Sequence, residues 1–322
     1  MRELRDRMER QLLPHVVRPV RDRSRLGETR PRELLSSPLQ YIVEPTIVSL
    51  PPPQEPSGSW LTRSLVALLR QHRLPTRVSR WLDRSLIALG LPTKTVRVHG
   101  LQLRVRRLTA DEFFVREVLI DRQYNPAGFE INPTDNVLDI GGNVGAFAVR
   151  AAIQACRGRV VSVEPVQENF SLLVRNIGRN KLKNVIPVRA AVLSQRRPAT
   201  VYLSPEGTGS HSIFADVTGP PRGEQLVDGV TLSDLFDQYQ LDVCHFLKLD
   251  CEGAEYEILY GLPEPFFSRI EKLAIEYHAR AGEPKRRQSD GLVAHLQAVG
   301  YRIEAYTDVA DTPRGMIHAR RI

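Results

Sequence analysis

An acid, a glycine-rich turn and the start of a helix follow one another in the segment VLDIGGNVG at 137–145. Its apolar residues are typical of a short, buried parallel strand. Its glycines allow the sharp turn that brings a ligand close to the next helix. Asp139 lies two residues before the first glycine, and the spacing D-x-G-x-x-x-G differs from the dinucleotide pattern G-x-G-x-x-G. The segment therefore predicts a carboxylate beside a ligand with a cationic or hydroxyl-bearing end, without a cradle for a pyrophosphate.

A second acid follows close to the distance that is typical of a ribose site. The apolar run RVVSVEP at 159–165 predicts the next strand, and its Glu164 comes 25 residues after Asp139. In a βαβ unit, a carboxylate roughly 20 residues beyond the turn binds ribose hydroxyls. A sulfonium, an amino group and a ribose occur together in S-adenosylmethionine, which fits this pair of acids better than NAD does. A third strand is predicted at 184–192, where Pro187 indicates a less regular or less central position.

The predicted cofactor site gathers at the carboxyl ends of these strands, because ligands of open α/β sheets bind there. We expect Asp139 and the amides of the turn to hold the methionine end. We expect Glu164 to accept from both ribose hydroxyls, and Ala191 or its neighbours to lie against adenine. The full predicted set is Asp139, Gly141, Gly142, Asn143, Gly145, Glu164, Pro165 and Ala191.

Four further residues could act on an acceptor hydroxyl at the same edge of the sheet. Methyl transfer to oxygen is an in-line displacement, so a base need only remove the hydroxyl proton as the oxygen attacks. Asp250 ends the fourth predicted strand, and Glu276 and His278 end the fifth, two residues apart and so on one face. His211 lies in a long, glycine-bearing segment at about 204–229. We predict Glu276 or His278 as the base, with Asp250 orienting the substrate or the cofactor.

Each of these residues also has a purely structural interpretation. Asp250 and Glu252 could cap the following helix, since acids favour helix N-termini. His278 and His211 could be solvated histidines. Asp250 with Glu252 could also bind a divalent cation through oxygen ligands, but two carboxylates do not complete a site, so no metal is predicted.

Two longer segments resemble conserved blocks of one enzyme family. EPVQENFSLLVRNIGRN at 164–180 and FLKLDCEGAEYEILYG at 246–261 are similar to the second and fourth blocks of FkbM-type methyltransferases. The likeness extends over roughly 110–322, and its most distinctive part is KLDCEG at 248–253. The family uses S-adenosylmethionine and mostly methylates hydroxyl groups of sugars and polyketide-derived compounds, so the resemblance implies that cofactor and reaction here. Gly142 stands where the family usually has alanine.

The elements that must position these residues follow from the hydrophobic pattern. Strands and helices alternate towards the end of the chain, which is typical of an α/β doubly wound sheet. The resemblance implies a seven-stranded Rossmann-like methyltransferase sheet with an antiparallel end strand, over a domain at 131–322. The last strands are predicted near 270–277, 301–306 and 314–320, with one helix near 289–299.

An N-terminal helical and hairpin extension is predicted to precede this domain. Residues 1–59 are rich in Arg, Pro and Ser and are expected to be a mostly disordered tail and linker. Residues 60–130 are expected to cover the core. Their predicted elements are amphipathic helices near 60–73 and 78–89, a hairpin that turns at His99-Gly100, and a helix with a capping box of Thr109 and Glu112.

The charge of the chain is unevenly distributed, and this bears on its partners. The net charge is +8, yet residues 61–107 carry eleven Arg and Lys against Asp83 alone. Nucleic-acid binding would need a basic patch with interleaved aromatic residues, and this stretch has only Trp81. We therefore predict a small-molecule or glycan acceptor and no nucleic acid. An RNA methyltransferase and a non-catalytic binding module are the alternatives.

Three further features bear on where the protein works. The N-terminus lacks the apolar region of a signal peptide, and no apolar run is long enough to cross a membrane. Cys156, Cys244 and Cys251 show no disulfide or metal spacing. These features predict a cytoplasmic protein, with the basic stretch at 60–108 as a candidate contact with an anionic membrane surface. The acceptor and the oligomeric state do not follow from the sequence.

Overall fold

The computed structural model describes residues 76–205, 207–218, 220–280, 282, 284–308 and 314–322. The predicted tail, linker and helix near 60–73 lie outside the described residues. The strands are β1 (Thr93–Val98), β2 (Leu101–Arg106), β3 (Asn136–Ile140), β4 (Arg159–Val163), β5 (Val185–Val188), β6 (Ala191–Val192), β7 (Ala199–Leu203), β8 (Gly223–Val227), β9 (Gly229–Val230), β10 (Phe246–Leu249), β11 (Lys272–His278), β12 (Tyr301–Asp308) and β13 (Arg314–Arg321). The helices are α1 (Thr76–Ala88), α2 (Asp111–Arg116), α3 (Ala146–Gln154), α4 (Gln167–Arg179), α5 (Ala215–Thr218), α6 (Leu232–Gln238), α7 (Glu255–Gly261), α8 (Glu264–Phe267) and α9 (Lys285–Ala298), and a π-helical segment, Glu117–Asp121, continues α2.

Seven of these strands form one sheet in the order β12-β13-β11-β10-β3-β4-β5. Strands β11, β10, β3, β4 and β5 pair in parallel, and β13, the last strand of the chain, runs antiparallel between β11 and β12. The predicted doubly wound sheet with an antiparallel end strand is therefore confirmed. The chain moves outwards from β3 to β5 and then returns to β10, so β3 and β10 flank the switch point at which such sheets bind ligands.

Apolar residues cover both faces of this sheet, because its central strands are buried on both sides. Val137 and Phe246 pack on one face with Phe147 of α3, and Leu138 and Leu247 pack on the other face with α7 and α9. Neighbouring residues of one strand thus belong to opposite faces, as the pleat requires. Burial of each such side chain contributes about 1.5–3 kcal/mol, so the sheet is a firm base for the loops at its carboxyl edge.

The hairpin of β1 and β2 packs on the face that carries α3 and α4. It turns at His99 and Gly100, whose φ angles are 48° and 83°, which confirms the predicted hairpin. Asn176 of α4 holds it in place, because its side chain accepts from the Arg104 amide at 2.6 Å and donates to the Arg104 carbonyl at 3.0 Å. The helix predicted near 78–89 is confirmed as α1.

The predicted capping box is wrong. The N-cap residue of α2 is Ala110, which makes no side-chain cap bond, and Thr109 accepts from the Asp111 amide at 3.3 Å and not from the amide of Glu112. Glu112 instead forms an ion pair with Lys94 of β1 at 2.6 Å. The carboxylate that a capping box requires is therefore engaged in a tertiary contact.

Two other segments differ from their predicted form. The strand expected at 184–192 is two strands: β5 forms the sheet edge and contains Pro187, while β6 leaves the sheet and pairs in parallel with β9. The long segment at 204–229, to which the sequence assigns no helix or strand, contains α5 and β8, and β8 pairs with β7. In the described part of the chain, no helix has the length and apolar character needed to cross a bilayer.

Candidate functional site

The glycine turn after β3 is packed against the neighbouring strand ends. Gly141 has a φ of 80°, and a Cβ atom there would lie 1.8 Å from the carbonyl oxygen of Asp250. A Cβ atom at Gly142 would lie 2.4 Å from the Ser162 hydroxyl oxygen. The amides of both glycines donate to the carbonyl of Val163, at 3.0 and 2.9 Å. Glycine at 141 is therefore required by close backbone approach as well as by conformation.

Asp139 lies beneath this turn, not in a cavity. It is fully buried, its Oδ2 accepts from the Ser162 hydroxyl at 2.7 Å, and its Oδ1 lies 3.3 Å from the Lys248 Nζ. Lys248 in turn donates to the carbonyls of Ile140 and Gly141, at 3.2 and 2.5 Å. Burial lowers the pKa of Lys248, but the Asp139 carboxylate outweighs this and holds the pKa above its usual range. The sequence predicts Asp139 at the ligand. The structure corrects this, since Asp139 is the counter-ion of the lysine that fixes the turn.

Two cavities open at the carboxyl ends of the strands. The Glu164 pocket adjoins β4 and β6, and the Glu276 pocket adjoins α2, the π-helical segment and β11. The residues that line both are Gly141, Asn143, Gly209, Asp250 and Glu252. The two pockets are therefore halves of one cleft, and ligands in the two halves would meet at this shared wall.

Glu164 is the most fully partnered acid of the cleft. Its Oε2 accepts from the Asn143 amide at 2.8 Å, and its Oε1 accepts from the Val166 amide at 2.9 Å and the Asn169 side chain at 3.3 Å. Burial raises the pKa of Glu164 to about 7, although these hydrogen bonds oppose the change. A carboxylate has roughly four acceptor positions, so protein donors leave about one for a ligand.

The rest of the Glu164 pocket is largely apolar. Pro165 and Ala191 line it, together with Val201 and Ile213, and these side chains suit a flat ring. Asn143 adds a polar group, because its Oδ1 is buried and has no hydrogen-bond partner among the described residues. An unpaired buried acceptor costs about 1–3 kcal/mol, which indicates that a ligand supplies a donor here.

The structure thus divides the predicted cofactor residues into three groups. Five line the Glu164 pocket: Gly141, Asn143, Glu164, Pro165 and Ala191. Gly142 lines the Glu276 pocket. Asp139 and Gly145 line neither pocket, and Gly145 is the N-cap residue of α3 with a φ of 86°.

In the Glu276 pocket, two carboxylates share one tyrosine. The Tyr124 hydroxyl lies 2.8 Å from Asp250 Oδ2 and 2.8 Å from Glu276 Oε2. Gln123 donates to the same Glu276 oxygen at 2.7 Å, and Arg314 lies 3.0 Å from Oε1. Burial and the nearby Asp250 raise the pKa of Glu276. Sequence reasoning missed Tyr124, Gln123 and Arg314, because nothing near them in the chain indicates that they reach this site.

His278 lies behind these acids. Its Nδ1 is 3.3 Å from Glu255 Oε1, and its Nε2 is 3.5 Å from Glu252 Oε2. Burial lowers the pKa of His278, but the two glutamates outweigh burial and raise the pKa well above the usual range. A charged imidazolium cannot take a further proton, and His278 lines neither pocket. Both observations argue against the prediction that His278 is the base.

Glu252 is the acid with the freest carboxylate. It lines both pockets, and among the described residues only His278 lies within ion-pair distance of it. Burial raises the pKa of Glu252 to about 8, although His278 opposes the change. The helix-capping interpretation of Asp250 and Glu252 is wrong, because no side chain caps α7 at its N-cap residue. Glu255 accepts from the amides before the helix instead.

Three possible metal donors come together at this wall. Oxygen atoms of Asp250 and Glu252 and a ring nitrogen of His278 lie within 4.8 Å of one another. Mixed carboxylate and imidazole donors suit several divalent metals, and folding adds the histidine that the sequence alone did not place beside the two acids. Without a metal, His278 is balanced by the carboxylates of Glu252 and Glu255, which lie 3.5 and 3.3 Å from its two ring nitrogens.

His211 belongs to the other half of the cleft. It lines the Glu164 pocket and not the Glu276 pocket. Its Nδ1 accepts from the Ser204 amide at 3.0 Å, and burial lowers the pKa of His211 to about 4. The prediction that His211 acts on an acceptor in the company of Glu276 does not fit this placement.

The sequence matches one known family. The profile of the methyltransferase FkbM domain matches residues 139–303. The chain is 25% identical over 239 residues to the 31-O-demethyl-FK506 methyltransferase FkbM of Streptomyces tacrolimicus. This alignment covers 65% of this chain and 90% of that protein. The chain is 23% identical over 266 residues to the AMB antimetabolite synthetase AmbE of Pseudomonas aeruginosa, which covers 72% of this chain. The chain spans only 12% of the length of AmbE.

The M. jannaschii TYW2 structure in complex with AdoMet aligns with a TM-score of 0.41 and 16% identity, over 72% of this chain and 87% of that chain.

Proposed function

Because this chain belongs to the FkbM methyltransferase family, we propose that it transfers a methyl group from S-adenosylmethionine to a hydroxyl oxygen of a small molecule or a glycan. The observation that carries this proposal is the continuous cleft. One half has a carboxylate, an unpaired amide oxygen and an apolar wall, which suit an adenosyl group with its amino-acid tail. The other half holds acids beside the shared wall, where an acceptor would meet the methyl group.

The residues of the Glu164 pocket fit the cofactor. The remaining acceptor position of Glu164 is suited to a ribose hydroxyl. The sequence predicts that Glu164 accepts from both ribose hydroxyls, but its open position can accept a full hydrogen bond from only one of them. The unpaired Oδ1 of Asn143 is suited to the ammonium group of the methionine end. Pro165 and Ala191 would lie against adenine. When bound, the cofactor supplies a methyl group already activated by its sulfonium.

We assign the role of base to Glu252 because of its place and its free lone pairs. Its carboxylate faces both pockets, so it lies where the acceptor oxygen and the methyl group must meet. Glu276 lines only the acceptor half, and its oxygens already accept from Gln123 and Arg314. A carboxylate that takes the hydroxyl proton as oxygen attacks needs an open acceptor position. Glu252 has one in its ionised form, which its pKa of about 8 favours at alkaline pH. Asp250, held by Tyr124, would orient the acceptor.

The negative charge of the Glu276 pocket favours neutral acceptors over anionic ones. Its acids are Glu117, Asp250, Glu252 and Glu276, and its two basic residues, Lys248 and Arg314, already form ion pairs with acids. A phosphorylated acceptor or RNA would bring further negative charge against these acids, which is unfavourable at short range. A neutral polyhydroxy compound fits this charge pattern better.

Calorimetric titration of the full chain with S-adenosylhomocysteine, followed by transfer of a labelled methyl group to a panel of glycosides and polyols, tests the proposal. We expect cofactor binding and a product methylated on oxygen. A product methylated on nitrogen or carbon, or methylation of RNA in preference to the panel, would contradict it. Parallel assays with a chelator and with added Mg²⁺ or Mn²⁺ show whether the Asp250, Glu252 and His278 cluster works with a cation.

We also propose that the basic stretch at 60–108 contacts an anionic membrane surface. The described part of this stretch includes α1, whose Trp81 is 64% exposed between Arg80 and Arg84. Exposed Trp beside basic residues is typical of interfacial helices. Co-sedimentation of the full chain with phosphatidylserine vesicles should exceed that with phosphatidylcholine vesicles, and Trp81→Ala should reduce it. Equal sedimentation with both would contradict this contact.

A further inference from the structure

His211 is held in one tautomer by the protein. The Ser204 amide can only donate, and it donates to the Nδ1 of His211 at 3.0 Å. That nitrogen therefore carries no proton, and the single proton of the neutral ring lies on Nε2. Burial lowers the pKa of His211 to about 4, so the ring is neutral at physiological pH. His211 thus presents an N–H group at Nε2, not a base.

This N–H group has no acceptor within the described residues, although it is buried. Buried polar groups in folded proteins are paired in the great majority of cases, so an unpaired one calls for an explanation. The ring lines the Glu164 pocket beside apolar Val201 and Ile213. A ligand that enters this pocket can supply the missing acceptor, whereas the apolar neighbours cannot.

The other polar side chains of the pocket are suited to other tasks, which leaves the base of the nucleoside to His211. The Asn169 amide group already donates to Glu164 and to the Thr208 carbonyl, and Asp250 and Glu252 belong to the wall shared with the Glu276 pocket. Glu164 is suited to the ribose, and Asn143 lies at the wall shared with the Glu276 pocket, where the methionine end and the methyl group belong. Adenine carries hydrogen-bond acceptors at its ring nitrogens, and an imidazole N–H is a matching donor.

We infer that His211 recognises the adenine of the cofactor by donating a hydrogen bond from Nε2 to a ring nitrogen. The inference rests on the proposed cofactor, and it makes His211 a specificity-determining residue that transfers no proton.

Binding of deaza analogues tests this inference. The affinities of the full chain for S-adenosylhomocysteine and for its 1-deaza, 3-deaza and 7-deaza analogues are measured by calorimetry. Each analogue lacks one ring-nitrogen acceptor. We expect one of the three to bind about three- to tenfold more weakly, in keeping with the loss of one hydrogen bond. Wild-type protein that binds all four equally would overturn the inference.

The variant His211→Phe sharpens the test, because it keeps a ring and removes the N–H. We expect this variant to bind S-adenosylhomocysteine as weakly as the wild type binds the one analogue that lacks the required ring nitrogen. We expect the variant to bind that analogue with the same reduced affinity, because the hydrogen bond is already lost. His211→Gln, which keeps a side-chain N–H, should retain part of the discrimination. If the loss of affinity from the variant and the loss from the analogue add together, the inference is overturned and the proposed function is not affected. Absence of S-adenosylhomocysteine binding to wild type would overturn the proposed function, and this inference with it.

Discussion

In the Glu164 pocket the charged group is held by main-chain donors, whereas in the Glu276 pocket the charged groups are held by one another. Glu164 accepts from the amides of Asn143 and Val166. Asp250 and Glu276 instead contact the same hydroxyl of Tyr124, and Glu252 faces His278. The first arrangement is a fixed frame that suits one unvarying ligand. The second arrangement depends on the balance of charge among neighbouring side chains, so a change in the protonation of one group changes the pKa values of the others.

The difference matches the two tasks of a group-transfer enzyme. A cofactor has the same shape in every turnover, so backbone atoms can bind it. In the proposed reaction a hydroxyl acceptor must lose a proton, so it needs side chains with open lone pairs and shifted pKa values. Variants that change cofactor affinity without changing kcat, or the reverse, would show that the two halves act separately. Variants beneath the shared wall should impair both halves.

The largest expected effect is on catalysis. Glu252→Gln removes the proposed base and should lower kcat by about 10²–10⁴-fold, with little change in the affinity for S-adenosylhomocysteine. Steady-state kinetics and calorimetry measure the two quantities. Glu276→Gln is the matched control and should lower kcat less, because its oxygens are already occupied. A greater loss in Glu276→Gln than in Glu252→Gln would return the role of base to Glu276.

Lys248→Met should destabilise the whole cleft. The change leaves Asp139 buried without its cation, and loss of one partner of a buried ion pair costs about 3–5 kcal/mol of unfolding free energy. Denaturant unfolding measures this. Lys248→Met combined with Asp139→Asn removes both charges and should recover part of the loss. A single variant as stable as wild type would show that the pair does not fix the turn.

Glu164→Gln should weaken cofactor binding and leave the acceptor half intact. A hydrogen bond to a charged group contributes about 1.5–3 kcal/mol, so the affinity for S-adenosylhomocysteine should fall about ten- to hundredfold in calorimetry. Glu168→Gln is the control, because that nearby side chain is 65% exposed. Equal losses in both variants would contradict a specific role of Glu164.

A smaller effect is expected from pH. The pKa of Glu164 is raised from 4.5 to about 7 by burial, and ribose hydroxyls favour the carboxylate. Affinity for S-adenosylhomocysteine should therefore increase, by about tenfold or less, as pH rises from 6 to 8. The stability of the free chain has the opposite sign: a raised carboxyl pKa stabilises the fold below pH 4.5, and this contribution is lost as pH rises through about 7. A pH dependence of binding that persists in Glu164→Gln would contradict this assignment.

Local features of the site could be predicted, and distant ones could not. The strand, turn and acid around 137–145 and Glu164 follow from short-range periodicity and spacing, and the sheet follows from alternating elements. The burial of Asp139 depends on Lys248, which lies on a strand much later in the chain. The Tyr124 contact with Asp250 joins residues 126 positions apart. No local pattern encodes such contacts, so the sequence named the acids of the cleft without their partners.

The most direct test of the account is a crystal structure of the full chain with bound S-adenosylhomocysteine. We predict the adenine against Ala191 with its edge towards His211, the ribose at Glu164, and the sulfur at the wall formed by Gly141, Asp250 and Glu252. A nucleoside seated in the Glu276 pocket, or one that leaves Glu164 without a ligand contact, would contradict the division of the cleft into a cofactor half and an acceptor half.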